Sequence, residues 1–266
     1  MKHHHIALAI GLVAFAPFSM AAIIAGDDFN YSGELNSQNG GFGWAGAWSA
    51  VTGVTQVVDP GVDLIDNRAL QFTGNNNNAS YRQLASSFAG NQLFVDFYVQ
   101  IDSGNLTGND FLALWLDTVI SGDHTARPNI GIKSDGSGVN DVFVRTTGTG
   151  GNFVPNSNIG STNDVTHHIV GLLSKSGTNY DKFEVWLDPL LGDLNSADAV
   201  FSGNSGISQI TSIGFRTANL DGGDAVLLDN LRLSTTWKDS LSVPEPATLA
   251  LLGIGLLGIV GLRRKI

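Results

Sequence analysis

Leu93-Phe94-Val95-Asp96-Phe97-Tyr98-Val99-Gln100-Ile101 alternates without a break. Leu93, Val95, Phe97, Val99 and Ile101 form one apolar set; Phe94, Asp96, Tyr98 and Gln100 form the other. Successive side chains of a strand point to opposite faces, so this spacing predicts a β-strand with its first set in a core. The same period of two returns at 111–116, 129–133, 141–146, 167–174, 182–188, 210–217 and 225–233, and more weakly at 54–58, 69–73 and 80–84. Clusters of Gly, Asn, Asp and Ser separate these runs, and loops are expected at 75–78, 134–140 and 148–152. No amphipathic helix stands between Asp27 and Trp237. Many short alternating runs broken by turn residues indicate an all-β protein, an antiparallel β-sandwich. With no linker and no repeat, residues 23–242 read as a single domain.

The two ends have a different character. Ile6 to Ala22 is apolar and follows Lys2, and Ser19 and Ala21 stand at the small-residue positions of a cleavage site. Residues 1–22 therefore read as a signal peptide for the Sec export machinery, too short to span a membrane permanently. At the other end, Val243-Pro244-Glu245-Pro246 precedes Ala247 to Leu262, sixteen residues without a charge, and then Arg263-Arg264-Lys265. That segment, 247–262, predicts a single transmembrane helix, slightly short for a hydrocarbon core of about 30 Å. The basic cluster places the terminus in the cytoplasm and the domain outside. Proline on both sides of Glu245 keeps the junction extended.

The order of Pro244-Glu245-Pro246, a glycine-rich apolar run, and Arg263-Arg264 resembles the PEP-CTERM sorting signal of Gram-negative bacteria. That resemblance assigns residues 243–266 to a sorting tail. It implies an exosortase as partner, transient anchoring in the inner membrane, and delivery to the cell surface or extracellular matrix of a biofilm. Pro244, Glu245, Pro246, Arg263 and Arg264 are the matching positions.

Composition narrows the chemistry. The chain has no cysteine, which excludes a disulfide framework, a thiolate metal site and a cysteine nucleophile. Its net charge is −10; losing both ends takes four of 14 basic and one of 24 acidic residues, leaving −13. Nucleic acid, whose affinity rests on neutralising phosphates, is excluded as a partner. Of the acids 21 are Asp, a residue of tight turns, though loop carboxylates also suit calcium. Apart from this structural calcium no cofactor is implied, and no metal-ligating set stands out. His167 and His168 are adjacent in a strand and point to opposite faces. Asp193 to Asp198 lacks the glycine and bidentate glutamate of a calcium loop.

Asp27-Asp28-Phe29-Asn30-Tyr31, Gly43-Trp44-Ala45-Gly46-Ala47-Trp48, Glu184 to Pro189 and Leu228 to Leu233 make the domain similar to concanavalin A-like, laminin-G-like jelly rolls. These include lectins, glucanases and adhesion modules, so the resemblance implies a fold and leaves function open. Terminal strands that pair in such a fold would gather Asp27 and Asp28 near Asp229 and Asn230, where calcium would neutralise them. Retaining glycanases need two carboxyl groups about 5 Å apart. Here Glu34 and Glu184 are the domain's only glutamates and lie far apart in sequence, which argues against an enzyme.

Period two also sets aromatics beside acids on the non-core faces of three strands: Tyr98 with Asp96, Trp115 with Asp117, and Trp186 with Glu184 and Asp188. Flat rings beside carboxylates suit the C–H faces and hydroxyls of sugars. Tyr98, Trp115, Trp186, Asp96 and Asp117 are therefore the candidate carbohydrate-binding residues, and extracellular polysaccharide the candidate partner; no catalytic residue is assigned. The alternatives are a structural surface protein without a small-molecule ligand and a glycan-active hydrolase.

Overall fold

The computed structural model describes residues 23–59, 68–136 and 138–241. The signal peptide, Pro244, Glu245, Pro246, Arg263, Arg264 and the helix expected at 247–262 lie outside these residues. Among the described residues, no helix is long and apolar enough to cross a membrane.

Two antiparallel sheets face each other, with strands numbered in chain order. The first runs β13 (Ala199–Ser202), β12 (Lys182–Leu187), β11 (His167–Ser174), β6 (Gln92–Ser103), β15 (Ala225–Ser234), β4 (Ala69–Phe72) and β3 (Thr55–Val58), with β1 (Ile23–Asp27) also paired to β15. The second runs β10 (Asn152–Phe153), β9 (Asn140–Arg145), β8 (Asn129–Ser134), β7 (Phe111–Asp117), β14 (Ile210–Ala218), β5 (Asn76–Phe88) and β2 (Ser49–Ala50). A short helix, α1 (Trp237–Ser240), and 3-10 turns at Ile159–Ser161 and Leu191–Asn195 complete the regular structure.

The core is built from the apolar sets that alternation selects. Leu93, Val95, Phe97, Val99 and Ile101 of β6 meet Leu112, Leu114 and Leu116 of β7, Ile130 and Ile132 of β8, and Ile213 and Phe215 of β14. Each such side chain, fully withdrawn from water, contributes about 1.5–3 kcal/mol before entropy is counted. The register is specified because a slip of one residue would turn every apolar set outward.

Five strands differ from the sequence reading, which placed none at Ile23–Asp27 or Ala199–Ser202. The run Asn76 to Asn78, expected as a loop, opens the long strand β5: the Asn76 N–H donates to Thr217 Oγ1, and Asn76 Oδ1 accepts from the Asn78 N–H. Asparagine serves here by bonding its own backbone and a neighbour's hydroxyl. Strands β2 and β10, two residues each, are too short to show a period.

Behind β1 lies a buried ionic knot. Asp27 accepts from Arg82 Nη1 at 2.8 Å, Trp48 Nε1 at 2.7 Å, the Tyr31 hydroxyl at 2.6 Å and the Phe29 N–H at 2.9 Å. Arg82 also donates to the Gly40 and Gly46 carbonyls and lies 5.2 Å from the centre of the Trp44 ring. Burial, then the Asp27 carboxylate, raises the Tyr31 hydroxyl well above its ordinary value, so it stays a donor. The residues 27–31 and 43–48 singled out by their sequence thus form one structural cluster.

Candidate functional site

Alternation places Tyr98, Trp115 and Trp186 away from the core, but not on a shared face. Tyr98 and Trp186 belong to the eight-stranded sheet and Trp115 to the seven-stranded one. Each also has its own cover. Trp186 packs at 4.9 Å against Trp237, and its Nε1 donates to the Asp193 carbonyl. Tyr98 stacks on His168 at 4.3 Å. Trp115 is fully buried beneath His124, whose ring lies parallel at 3.6 Å. Cross-strand from Trp115 stands Gly214, where a Cβ would meet the indole at 2.4 Å; the missing side chain is the seat of the ring.

The two acids of the expected set are likewise enclosed. Asp117 accepts from His124 Nδ1 at 2.9 Å, Arg127 Nε at 3.0 Å and the Thr118 N–H at 2.6 Å. Burial alone would raise its pKa, but these donors outweigh it and hold the carboxyl below the ordinary range. Asp96 faces Arg232 at 3.2 Å and His168 at 3.4 Å. There burial prevails, and the carboxyl is pushed up to about 6. One platform of aromatics and acids is therefore replaced by separate, covered clusters, because the 118–128 loop, α1 and the 191–195 turn fold over the positions that strand alternation leaves outward.

The calcium expectation is corrected in the same way. Asp27 is neutralised by Arg82 and three further donors, while Asp28 and Asp229 bond the backbone N–H groups of Asn30 and Asn230. The carboxylates that do converge are Asp110, Asp221 and Asp224, with oxygens within 4.8 Å of one another. Backbone N–H groups of Thr107 and Asp221 occupy an oxygen of Asp110 and of Asp224.

What stays open is a groove on the outer face of the seven-stranded sheet, about 440 Å³ in volume, lined by Asn109, Phe111, Lys133, Arg145, Arg216 and Asn219 among others. Phe111 of its lining packs at 5.6 Å on the buried Phe143, which has Phe153 beside it. Over these rings lie cations. Arg145 Cζ stands 5.6 Å from the Phe111 ring centre, Arg216 Cζ 5.0 Å from the same ring, and Lys133 Nζ 6.0 Å from Phe143. Such placements use the negative face of the ring.

Their hydrogen bonds go to neutral oxygens. Lys133 Nζ and Arg145 Nη1 both donate to the Thr149 carbonyl, and Arg145 Nη2 donates to Asn129 Oδ1. Arg216 donates to Thr125 Oγ1 and Asn77 Oδ1. Burial and the neighbouring Arg216 lower Arg145 to about 10, still cationic at neutral pH. Burial and Arg145 lower Lys133 similarly, and burial lowers Arg216. These three residues were missed in sequence, although a signal exists: each is the outward neighbour of an apolar inward pair, Ile130 and Ile132, Val142 and Val144, or Ile213 and Phe215.

A larger hollow of about 1050 Å³ runs past Phe88, Gln92, Lys175, Asp181 and Asn204. There Lys175 donates to the Ala89 and Ser208 carbonyls, Asp181 accepts from the Ser176 hydroxyl and N–H, and Lys182 pairs with Glu184.

The tail is decided by comparison with protein families. Residues 242–265 are a PEP-CTERM protein-sorting motif. The PEP-CTERM tail marks an exosortase-sorted surface protein and contains Pro244, Glu245, Pro246, Arg263 and Arg264. No curated protein matches the chain. Among solved structures, a double mutant of alginate lyase Aly36B in complex with alginate tetrasaccharide is similar to this chain at 15% identity and TM-score 0.49, covering 81% of this chain and 98% of that one. The endo-β-1,4-glucuronan lyase from the fungus Trichoderma reesei is similar at 12% identity and TM-score 0.49, covering 82% and 98%. The exoplasmic/lumenal domain of VIP36, in its Ca²⁺- and Man3GlcNAc-bound form, is similar at 12% identity and TM-score 0.41, covering 65% and 83%.

Proposed function

We propose that the protein is exported through Sec, held briefly in the inner membrane by its tail, and cut there by an exosortase. Its sandwich then binds extracellular polysaccharide in the groove of the seven-stranded sheet. The observation that carries the binding reading is the contrast in cover: aromatic positions on the outer faces are roofed by loops, α1 or a stacked histidine, while this groove stays open. Its volume lies in the range of ligand sites, and Asn109, Asn219 and Thr149 supply donors and acceptors for hydroxyls at its edge. Among the described residues, the groove lining includes no carboxylate, so acid-and-nucleophile hydrolysis has no pair of groups to use there. Binding without turnover is the reading this supports.

The test is a glycan array probed with the full chain and with an Asn109→Ala, Asn219→Gly double variant, glycine being the residue that keeps the left-handed backbone of 219 unstrained. A polysaccharide bound by the first and lost by the second, with unchanged melting, supports the groove. No bound glycan leaves a structural surface protein without a small-molecule ligand, a reading that the covered aromatics favour. Sorting is tested separately by mass spectrometry of the surface form, which should lack the peptide from Arg263 onward. Alanines at Pro244, Glu245 and Pro246 should leave the protein in the inner membrane.

A further inference from the structure

We propose that the groove selects acidic glycans, with Lys133 meeting the carboxylates of uronic acid units and Arg145 and Arg216 supplying the positive potential behind it. This rests on the polysaccharide reading above and adds the charge of the ligand.

The chain carries 24 acids against 14 bases, so a cation in it has abundant carboxylates to pair with. Arg82, Arg127 and Arg232 do so, with Asp27, Asp117 and Asp96. Lys133, Arg145 and Arg216 form no ion pair among the described residues, although they share one groove. Asp123 acts on both guanidiniums from a distance without pairing with either. Burying like charges together is costly unless something neutralises them. Arg145 is 2% exposed and Arg216 9%, and the Nε–H of each is buried without an acceptor. Neutral carbonyls and amides satisfy most of the donors but leave the charge standing.

Geometry then divides the work. Lys133 is half-buried and lines the groove; its ammonium donates to the Thr149 carbonyl at 2.6 Å and keeps further N–H donors for a ligand. The two arginines are fixed by side-chain amides, a hydroxyl and carbonyls, and act as a rigid source of field in a place of low dielectric. A carboxylate entering the groove restores the missing counter-charge, while the sugar ring bearing it meets the Asn109 and Asn219 rim. General attraction to polyanions cannot produce this binding, because the protein as a whole is acidic and repels them. Any polyanion that binds does so locally.

The experiment measures binding of the full chain to polygalacturonate and polyglucuronate, to the same polymers with their carboxyls reduced to alcohols, and to a sulfated galactan. A polyuronate should bind, weaken by at least about tenfold on carboxyl reduction, and weaken with added salt. Lys133→Gln should cost about tenfold, or about 1.4 kcal/mol, and Lys133→Glu more, with melting temperatures close to the parent's. Arg216→Gln should weaken binding as well; its melting curve shows whether it folds, and the lysine variants carry the test if it does not. Equal binding of charged and reduced polymers overturns charge selection while leaving the polysaccharide reading standing. Preference for the sulfated galactan overturns the carboxylate assignment. Full binding by Lys133→Glu overturns the site, and no binding to any polymer overturns both readings.

Discussion

On the outer face of the eight-stranded sheet, Phe94, Val170, Leu172 and Trp186 lie under Trp237 of α1 and close into a second small core. On the outer face of the seven-stranded sheet, Phe111 and Phe143 lie instead under Lys133, Arg145 and Arg216. Both faces bury aromatics. One uses an apolar lid and loses its access to water; the other uses charged side chains, of which Arg145 and Arg216 are themselves buried and Lys133 is half-buried. Strand alternation sends residues to a face, and the identity of whatever lands on that face decides whether it becomes core or surface.

Breaking the lid should give the largest effect. Trp237→Ala should cost about 3–5 kcal/mol in urea unfolding, the usual penalty for emptying a buried tryptophan site. Glycan binding by the fraction that remains folded should be untouched, because the groove is on the other sheet. A binding loss equal to that of the groove variants would show that the two faces are not independent.

Acid should move the two faces in opposite directions. Asp96, under the lid, is pushed up to about 6 by burial, so its ionisation costs stability. Its contribution is full below the ordinary carboxylate value and is lost as pH rises through about 6. Asp117 is held below the ordinary range despite its burial; its contribution is present above the ordinary value and is lost as pH falls below it. The slope from one such proton is at most about 1.4 kcal/mol per pH unit. Thermal unfolding between pH 3 and 7 should therefore show Asp96→Asn flattening the upper part of the profile and Asp117→Asn the lower part (on the order of the carboxylate reference values). A profile unchanged by Asp96→Asn would mean that Arg232 and His168 offset its burial fully.

The smallest effect sharpens the contrast. Lys182 and Glu184 form a surface pair at 2.8 Å on the eight-stranded sheet. Lys182→Ala should change stability by about 0.5 kcal/mol or less and leave polyuronate binding as it was. The same loss of one positive charge at Lys133 should be read in binding. If both lysine variants bind equally weakly, net charge and not the groove controls affinity.

Much of this architecture could be read from spacing alone. Every run with a clean period of two became a strand, from 93–101 to 225–233, because alternation is a property that a strand carries in its own residues. The site was less legible for a physical reason. Which sheet a strand joins depends on partners far away in sequence, so Trp115 and Trp186 looked alike until topology separated them. The cover was hidden too: His124 reaches Trp115 only because its loop turns back through a left-handed residue, with φ of 48°. The cations at 133, 145 and 216 stand at outward positions of the alternation, but no acid beside an aromatic marks them in the sequence. Their significance lies in an absent counter-charge, which only three-dimensional neighbours reveal.

Strand β15 is hydrogen-bonded on both flanks. β6 runs along one side, while β4 at Val226–Leu228 and β1 at Leu231–Ser234 follow each other along the opposite side. The chain leaves this strand directly into α1 and then toward the tail. A mechanical load applied beyond residue 241 therefore enters through an interior strand. To pull β15 out, both ladders must yield together, whereas an edge strand would unzip one bond at a time. A load entering from that end thus meets a part that is hard to peel, and the seven-stranded sheet bearing the groove stands outside the direct line of force.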